Sequence, residues 1–330
     1  MDRTDRRIVQ CLLQDGRVSF RRIAHVAGVS EQTVARRYRA LVAEGAVRVR
    51  ALPGHGGSRE QTWFVRVQCR PDAADALAGA LAAREDTSFV SVTSGGAEIV
   101  CQTRSDPAHP HGSVLHRLPR SASVLGFHAY AVLHVHLGPE AKWRAFDEPL
   151  TPAEVELLHE GNSSVPDDDG DHGGAALLGE ADAPLLAELA LDGRTGVLDL
   201  ARATGWSKGR VSSRLDELLC GRALYLAVDL AYARFGFHAT AYLWLTVNPG
   251  SLRATGAALS RHPETTFAAA VTGSANLLVT VTCRTMNDLY AYVADTVGAL
   301  PAVTQVDVVP VLHRLKQAGT RLHNGRLAPA

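Results

Sequence analysis

The chain has 330 residues, 46% of them hydrophobic, and its 34 basic residues are balanced by 34 acidic ones. At roughly 100–200 residues per domain this length calls for two or more packed domains. No apolar run nears the ~20 residues of a membrane span, five charges among the first ten residues argue against a secretory leader, and five scattered cysteines without a Cys-x-x-Cys pair argue against a disulfide framework or structural zinc. A reducing cytoplasm is the expected setting.

Residues 1–51 come first. Residues 1–50 hold eleven Arg against five Asp or Glu, a local balance of +6 hidden by the neutral total. Ile8, Leu12 and Leu13 line one face of a helix, Ser19 starts a short second helix carrying Ile23 and Val26, and Gly28-Val29 supplies a turn. Ser30 then caps a third helix with Val34, Tyr38 and Leu41 on its apolar side and Gln32, Thr33, Arg36 and Arg37 opposite. A helix-turn-helix with a basic outward stripe is therefore expected. Its third helix suits the major groove, where Arg forks onto guanine and Gln onto adenine, and Arg21, Arg22 and Arg39 are expected on phosphates.

Residues 52–62, with Gly54-His55-Gly56-Gly57, read as a hinge, since no P-loop Lys-Ser/Thr follows. Over 63–137 a β run, an Ala/Leu helix, two β runs split by Ser94-Gly95-Gly96, a Pro-broken helical stretch and a last strand (Val124–His136) make β-α-β-β-α-β, the ferredoxin-like order. Residues 138–181 form an acidic connector. Residues 139–182 hold twelve Asp or Glu against Lys142 and Arg144, and GNSSVPDDDGDHGG (Gly161–Gly174) is expected to be disordered. Thr151-Pro152-Ala153-Glu154 before it has the N-cap, Pro and acid of a short helix.

The same order then recurs. Asp5–Val47 lies over Asp182–Leu224 at a shift of 177 without a gap, so that Asp5 meets Asp182, the Asp-Gly-Arg triplets coincide, and Ser30, Val34, Arg37 and Leu41 meet Ser207, Val211, Arg214 and Leu218. A second helix-turn-helix is expected over 182–229. Lys208, Arg210 and Arg214 are its exposed cations, but six basic against seven acidic residues over 182–230 leave it near −1, so the first copy should grip DNA more strongly. Residues 230–317 repeat the ferredoxin-like order at a shift of 178, with the turn Thr272-Gly273-Ser274 and an unbroken second helix, and 318–330 are read as a tail. The fold class is thus α+β: two winged or three-helix helix-turn-helix domains alternating with two ferredoxin-like domains.

Residues 5–47 resemble the DNA-binding domain of the leucine-responsive regulatory protein (Lrp/AsnC) family, and the α+β unit after them resembles that family's ligand-binding and assembly domain. Members usually carry one copy of each, so two copies imply a covalent pseudo-dimer. The resemblance implies an effector, commonly an amino acid, at the Gly turn between the middle strands with an acid two residues further on. In this chain that puts Thr272, Gly273, Ser274 and Asn276 in the second copy, expected to be the main site because its second helix is unbroken, and Gly95 and Glu98 in the first. Asn276 lacks the charge to hold an ammonium, which favours a ligand without one.

The resemblance implies a cytoplasmic transcriptional regulator that binds double-stranded DNA and a small-molecule effector and is not an enzyme. No cofactor and no metal are expected, although His128, His134 and His136, and the loop pair His109/His111, are close together in sequence. Strands with large residues on both faces, such as FVRVQC and AYLWLTV, would leave one face wet, so a homo-oligomer is expected. Two rivals remain: an enzyme like the siroheme decarboxylases, which resemble the same family, and an assembly protein without ligand.

Overall fold

The computed structural model describes residues 1–53, 61–106, 112–138, 143, 146–159 and 178–329. The Gly54–Gly57 hinge, His109/His111 and the Gly161–Gly174 connector lie outside the described residues. Contacts divide the chain into two units interleaved along the sequence: Met1–Ser58, Phe146–Leu230 and Pro329–Ala330 form one, Arg59–Ala145 and Ala231–Ala328 the other. Among the described residues no helix is long and apolar enough to cross a membrane.

The first unit gathers both helix-turn-helix segments. In the first, α1 (Arg3–Gln14), α2 (Phe20–Ala27) and α3 (Glu31–Ala43) enclose Ile8, Leu12, Ile23, Val34 and Leu41, none more than 3% exposed. Asp2, Ser19 and Ser30 each accept a hydrogen bond from a first-turn backbone N–H, and Gly28 ends α2 at φ +66, a conformation that costs a side chain but not a glycine. Strand β1 (Val47–Pro53) follows.

The second unit opens with β2 (Gln61–Cys69), α4 (Ala74–Ala82), β3 (Thr87–Thr93), β4 (Glu98–Ser105), α5 (Val114–Arg117) and β5 (Val124–Leu137). The chain then returns to the first unit with α6 (Pro152–His159), which starts at Thr151 with a reciprocal cap between Thr151 and Glu154. There, α7 (Ala183–Leu191), α8 (Val197–Thr204) and α9 (Lys208–Cys220) repeat the three-helix fold, with Gly205 and Ser207 in the roles of Gly28 and Ser30, and β6 (Leu224–Leu230) closes it.

Strands β1 and β6 pair antiparallel, Val47 with Leu230 and Pro53 with Leu224. Because 47 and 53 shifted by 177 give 224 and 230, this register sets a pseudo-two-fold axis through the pair Arg50 and Ala227. The coinciding Asp-Gly-Arg triplets sit at the same joint. Arg17 donates to the carbonyls of Gly193 (2.6 Å) and Thr195 (3.0 Å), and Arg194 donates to those of Gly16 (2.6 Å) and Val18 (2.9 Å). The two copies thus exchange arginines. A Cβ at Gly193 would stand 3.0 Å from the Arg50 backbone, so a side chain there would crowd the joint.

The second unit continues with β7 (Ala239–Val247), α10 (Leu252–Leu259), β8 (Thr265–Val271), β9 (Leu277–Cys283), α11 (Met286–Ala291, continuing as a π turn over Tyr292–Val297) and β10 (Val303–Gln317). Each copy has the ferredoxin-like strand order, β5-β2-β4-β3 and β10-β7-β9-β8. Strand β5 runs on from β2 to pair with β8, and β10 runs on from β7 to pair with β3, so the eight strands close on themselves. Both long strands carry β-bulges at the crossing, which bend them from one sheet into the other.

Alternate residues of each sheet serve two cores. Val65, Val67 and Ile99 pack under α4 and α5, and Leu243, Leu245 and Val279 under α10 and α11. Phe64 and Tyr130 from one copy meet Tyr242 and Trp244 from the other on the inner faces. The wet faces that suggested association between chains are therefore covered within one chain, and that reason for a homo-oligomer falls away. Residues 318–330, read as a tail, instead form β11 (Thr320–His323) and β12 (Arg326–Leu327), which extend the sheet beside β10.

Candidate nucleic-acid interface

Helix periodicity leaves Gln32, Arg36 and Arg39 exposed on α3, and Arg21 exposed at the start of α2. Arg39 bonds back to the Ala35 carbonyl at 3.1 Å, and Ser30 is held by Thr33, its hydroxyl 2.9 Å from the Thr33 hydroxyl. In the second copy Lys208 and Arg210 are exposed at the start of α9, and the Arg210 guanidinium stacks 4.2 Å from the Trp206 ring.

Three expected DNA contacts are turned to the protein itself. Arg37 bridges Asp2 (2.5 Å) and Asp5 (2.9 Å) of α1, and its counterpart Arg214 forks onto Asp182 at 2.7 and 2.9 Å, so this repeated pair fastens the third helix of each copy to the segment that starts the first. Arg22 reaches the carbonyl of Leu158 on α6 at 3.4 Å. Sequence reasoning missed that contact because α6 is 136 residues away; Leu158 is fully buried, Glu154 pairs with Arg7, and Glu148 pairs with Arg3 at 2.8 Å. Part of the acidic connector thus neutralises the basic module. Arg36→Ala should weaken DNA binding with little effect on folding, whereas Arg37→Ala should lower the urea midpoint by the equivalent of about 1–2 kcal/mol, since it takes the cation from Asp2 and Asp5 and leaves Asp5 only the Asp2 N–H.

The expected effector turns are not equally open. At Thr272–Asn276 the backbone pairs with Ala131, the Asn276 amide bridges the Val247 N–H (2.9 Å) and carbonyl (2.7 Å), and a Cβ on Gly273 would stand 2.9 Å from the Tyr130 ring. Ser274 lends its carbonyl to the Thr246 hydroxyl. This turn is filled by the protein's own groups. Gly273→Leu is therefore expected to destabilise the fold outright, by about 2 kcal/mol or more, through that clash and its φ of +106.

The first-copy turn has open space beside Gly95 and Gly96, and Ser94 is held at φ +50. Glu98 is buried and committed: Arg66 donates to it from Nε at 2.7 Å, and Ser94 and Thr93 hydroxyls donate to Oε2 at 3.0 and 3.2 Å. Arg66 also reaches Asp307 of the other copy at 2.6 Å and lies 5.4 Å from the Trp244 ring. The counterparts of Arg66 and Glu98, shifted by 178, are Trp244 and Asn276, so one copy holds charge where the other holds neutral side chains.

His134 and His136 meet edge to face at 4.7 Å, and a Cβ at Gly256 of α10 would overlap the His136 ring. His136 Nε2 is buried without a partner, and burial, then His134 and Arg253, hold its pKa below the usual 6.5. A base whose charged form is disfavoured on folding gives stability that is lost as pH falls. The urea midpoint should therefore decline below pH ~6.5, and less steeply in His136→Gln. No group of three or more metal-ligating side chains occurs among the described residues.

Comparison with known proteins follows this division. Residues 1–42 match the AsnC-type helix-turn-helix domain, and residues 240–320 match the Lrp/AsnC ligand-binding domain. No curated protein sequence matches the chain. Among solved structures, the siroheme decarboxylase NirDL in co-complex with an iron-uroporphyrin III analogue is similar over 95% of this chain and 92% of its own, with a TM-score of 0.54 and 13% identity. A second structure of the siroheme decarboxylase NirDL matches with a TM-score of 0.54 and 14% identity, over 94% of this chain and 92% of its own. AsnC of E. coli matches over 42% of this chain and 94% of its own, with a TM-score of 0.37 and 19% identity. At such identities the likeness to NirDL is one of fold. It overturns the expectation that the chain is not an enzyme, because a fold shared over nearly the whole chain is one on which an enzyme is built. What the chain carries is an AsnC-type helix-turn-helix domain at its start and an Lrp/AsnC ligand-binding domain in its last third.

Proposed function

We propose that this chain is a DNA-binding transcriptional regulator in a tandem two-copy Lrp/AsnC form, its two helix-turn-helix segments acting as a pseudo-dimer on duplex DNA. The observation that carries this reading is the exposed Gln32, Arg36 and Arg39 on a capped third helix, with Arg21 at the start of the second. A small-molecule effector fits the open first-copy turn at Ser94–Gly96 better than the filled turn at Gly273, and with Glu98 committed to Arg66 neither turn offers a spare carboxylate for an ammonium. Fluorescence-anisotropy titration with duplex DNA over a salt series tests it. Affinity falling steeply with salt, and lowered about 5–100-fold by Arg36→Ala, is expected; an affinity unchanged by that substitution would refute it.

A second reading, an enzyme of the siroheme-decarboxylase kind, is favoured by the full-length likeness in fold and by the His134/His136 pair in the ligand-binding unit. Incubation with siroheme, followed by absorption spectra and mass spectrometry for loss of carbon dioxide, tests that reading. Product that persists in His136→Gln would remove the histidines from it.

A further inference from the structure

The repeated third helices keep their cap, two core positions and an internal cation, and differ where they face solvent. The cap (Ser30 and Ser207), the core (Val34 and Val211, Leu41 and Leu218) and the internal cation (Arg37 and Arg214) are the same residue in both. Not one exposed position of α3 keeps its side chain in α9: Glu31 becomes Lys208, Gln32 becomes Gly209, Arg36 becomes Ser213 and Arg39 becomes Asp216, and half-exposed Thr33 becomes Arg210. Two helices related by a two-fold axis read an inverted repeat only when they present the same side chains, because each meets its half-site in the same orientation. Here the axis is kept by the β1–β6 register and the exchanged Arg17 and Arg194, while the reading surface is not.

We propose that the DNA this chain takes is an asymmetric duplex, made of two unlike half-sites in dyad-related positions. One half is read by Gln32 and Arg36, the other by Lys208 and Arg210. The amide and guanidinium of the first suit an adenine and a guanine; the second offers two cations and no amide, and so selects guanines. A single chain is sufficient, since both helices belong to one unit. This inference rests on the DNA-binding reading above.

The test is selection of duplexes from a random library by the full chain, followed by titration of the composite site and of each half built as an inverted repeat. The expected result is a motif with unlike halves separated by one helical turn or a multiple of it, with both inverted repeats bound at least about tenfold more weakly. Arg36→Ala should relax selection in one half only and Arg210→Ala in the other. Giving α9 the face of α3, through Lys208→Glu, Gly209→Gln, Arg210→Thr, Ser213→Arg and Asp216→Arg, should turn the motif into an inverted repeat. An inverted repeat selected by the unaltered chain, or a single half-site indifferent to Arg210→Ala, would overturn the asymmetry and leave DNA binding standing. A library with no enriched sequence would overturn the DNA-binding reading and this inference together.

Discussion

Arg66→Ala is expected to destabilise the second unit by about 3 kcal/mol, because it leaves the buried Glu98 carboxylate without its cation. The Arg66 side chain is 19% exposed and that of Glu98 only 7%, so water cannot take the place of the lost donors. Two hydroxyls, from Ser94 and Thr93, remain on Glu98 and keep the loss at the lower end of the range for a broken buried pair. Asp307, half exposed, is resolvated and adds little. Urea denaturation of the variant gives the number, and adding Glu98→Gln should restore more than half of the loss. A single-variant loss below about 1 kcal/mol, or no recovery in the double variant, would mean that Arg66 and Glu98 are not energetically coupled.

Arg194→Ala should be nearly as costly for the helix-turn-helix unit, by about 2–4 kcal/mol. It removes charge-assisted hydrogen bonds to the Gly16 and Val18 carbonyls and takes the guanidinium from over the rings of Phe20 (4.7 Å) and Tyr38 (5.3 Å). Arg17→Ala should cost less, since residues 197 and 215, the counterparts of Phe20 and Tyr38, are Val197 and Leu215, and Arg17 loses only its bonds to Gly193 and Thr195. Both changes loosen the joint that fixes one reading helix against the other. DNA affinity should therefore fall in both variants although neither arginine faces the groove. Equal losses of stability in the two variants would show that the aromatic faces contribute nothing.

The repeat, the caps, the Gly turns and the exposed face of each third helix were legible in the sequence, because each rests on residues within a turn or two of one another. Ser30 caps its own helix, Val34 and Leu41 share one face, and Gly28 ends the helix before it, all through spacings of a few residues. The coincidences of Asp5 with Asp182, Arg37 with Arg214 and the two Asp-Gly-Arg triplets were legible too, but not their meaning. Periodicity places Arg37 outside its helix; only the packing of α1 across α3 brings Asp2 and Asp5 to it and makes it a fastener. Arg17 and Arg194 find their acceptors 176–178 residues away, on carbonyls no side-chain pattern announces. The same holds for Glu98, read as a ligand contact until Arg66 met it across the sheet, and for Asn276, whose amide closes on Val247. The sequence by itself determined the helices, the strands of the two ferredoxin-like units and the residues that cap them, because those choices are made over short spans of chain; β1, β6, β11 and β12 form only where a partner strand meets them. Which charges are spent inside the protein and which remain for a partner was decided only by the tertiary structure, because an ion pair needs two groups within about 4 Å and distance along the chain says nothing of that.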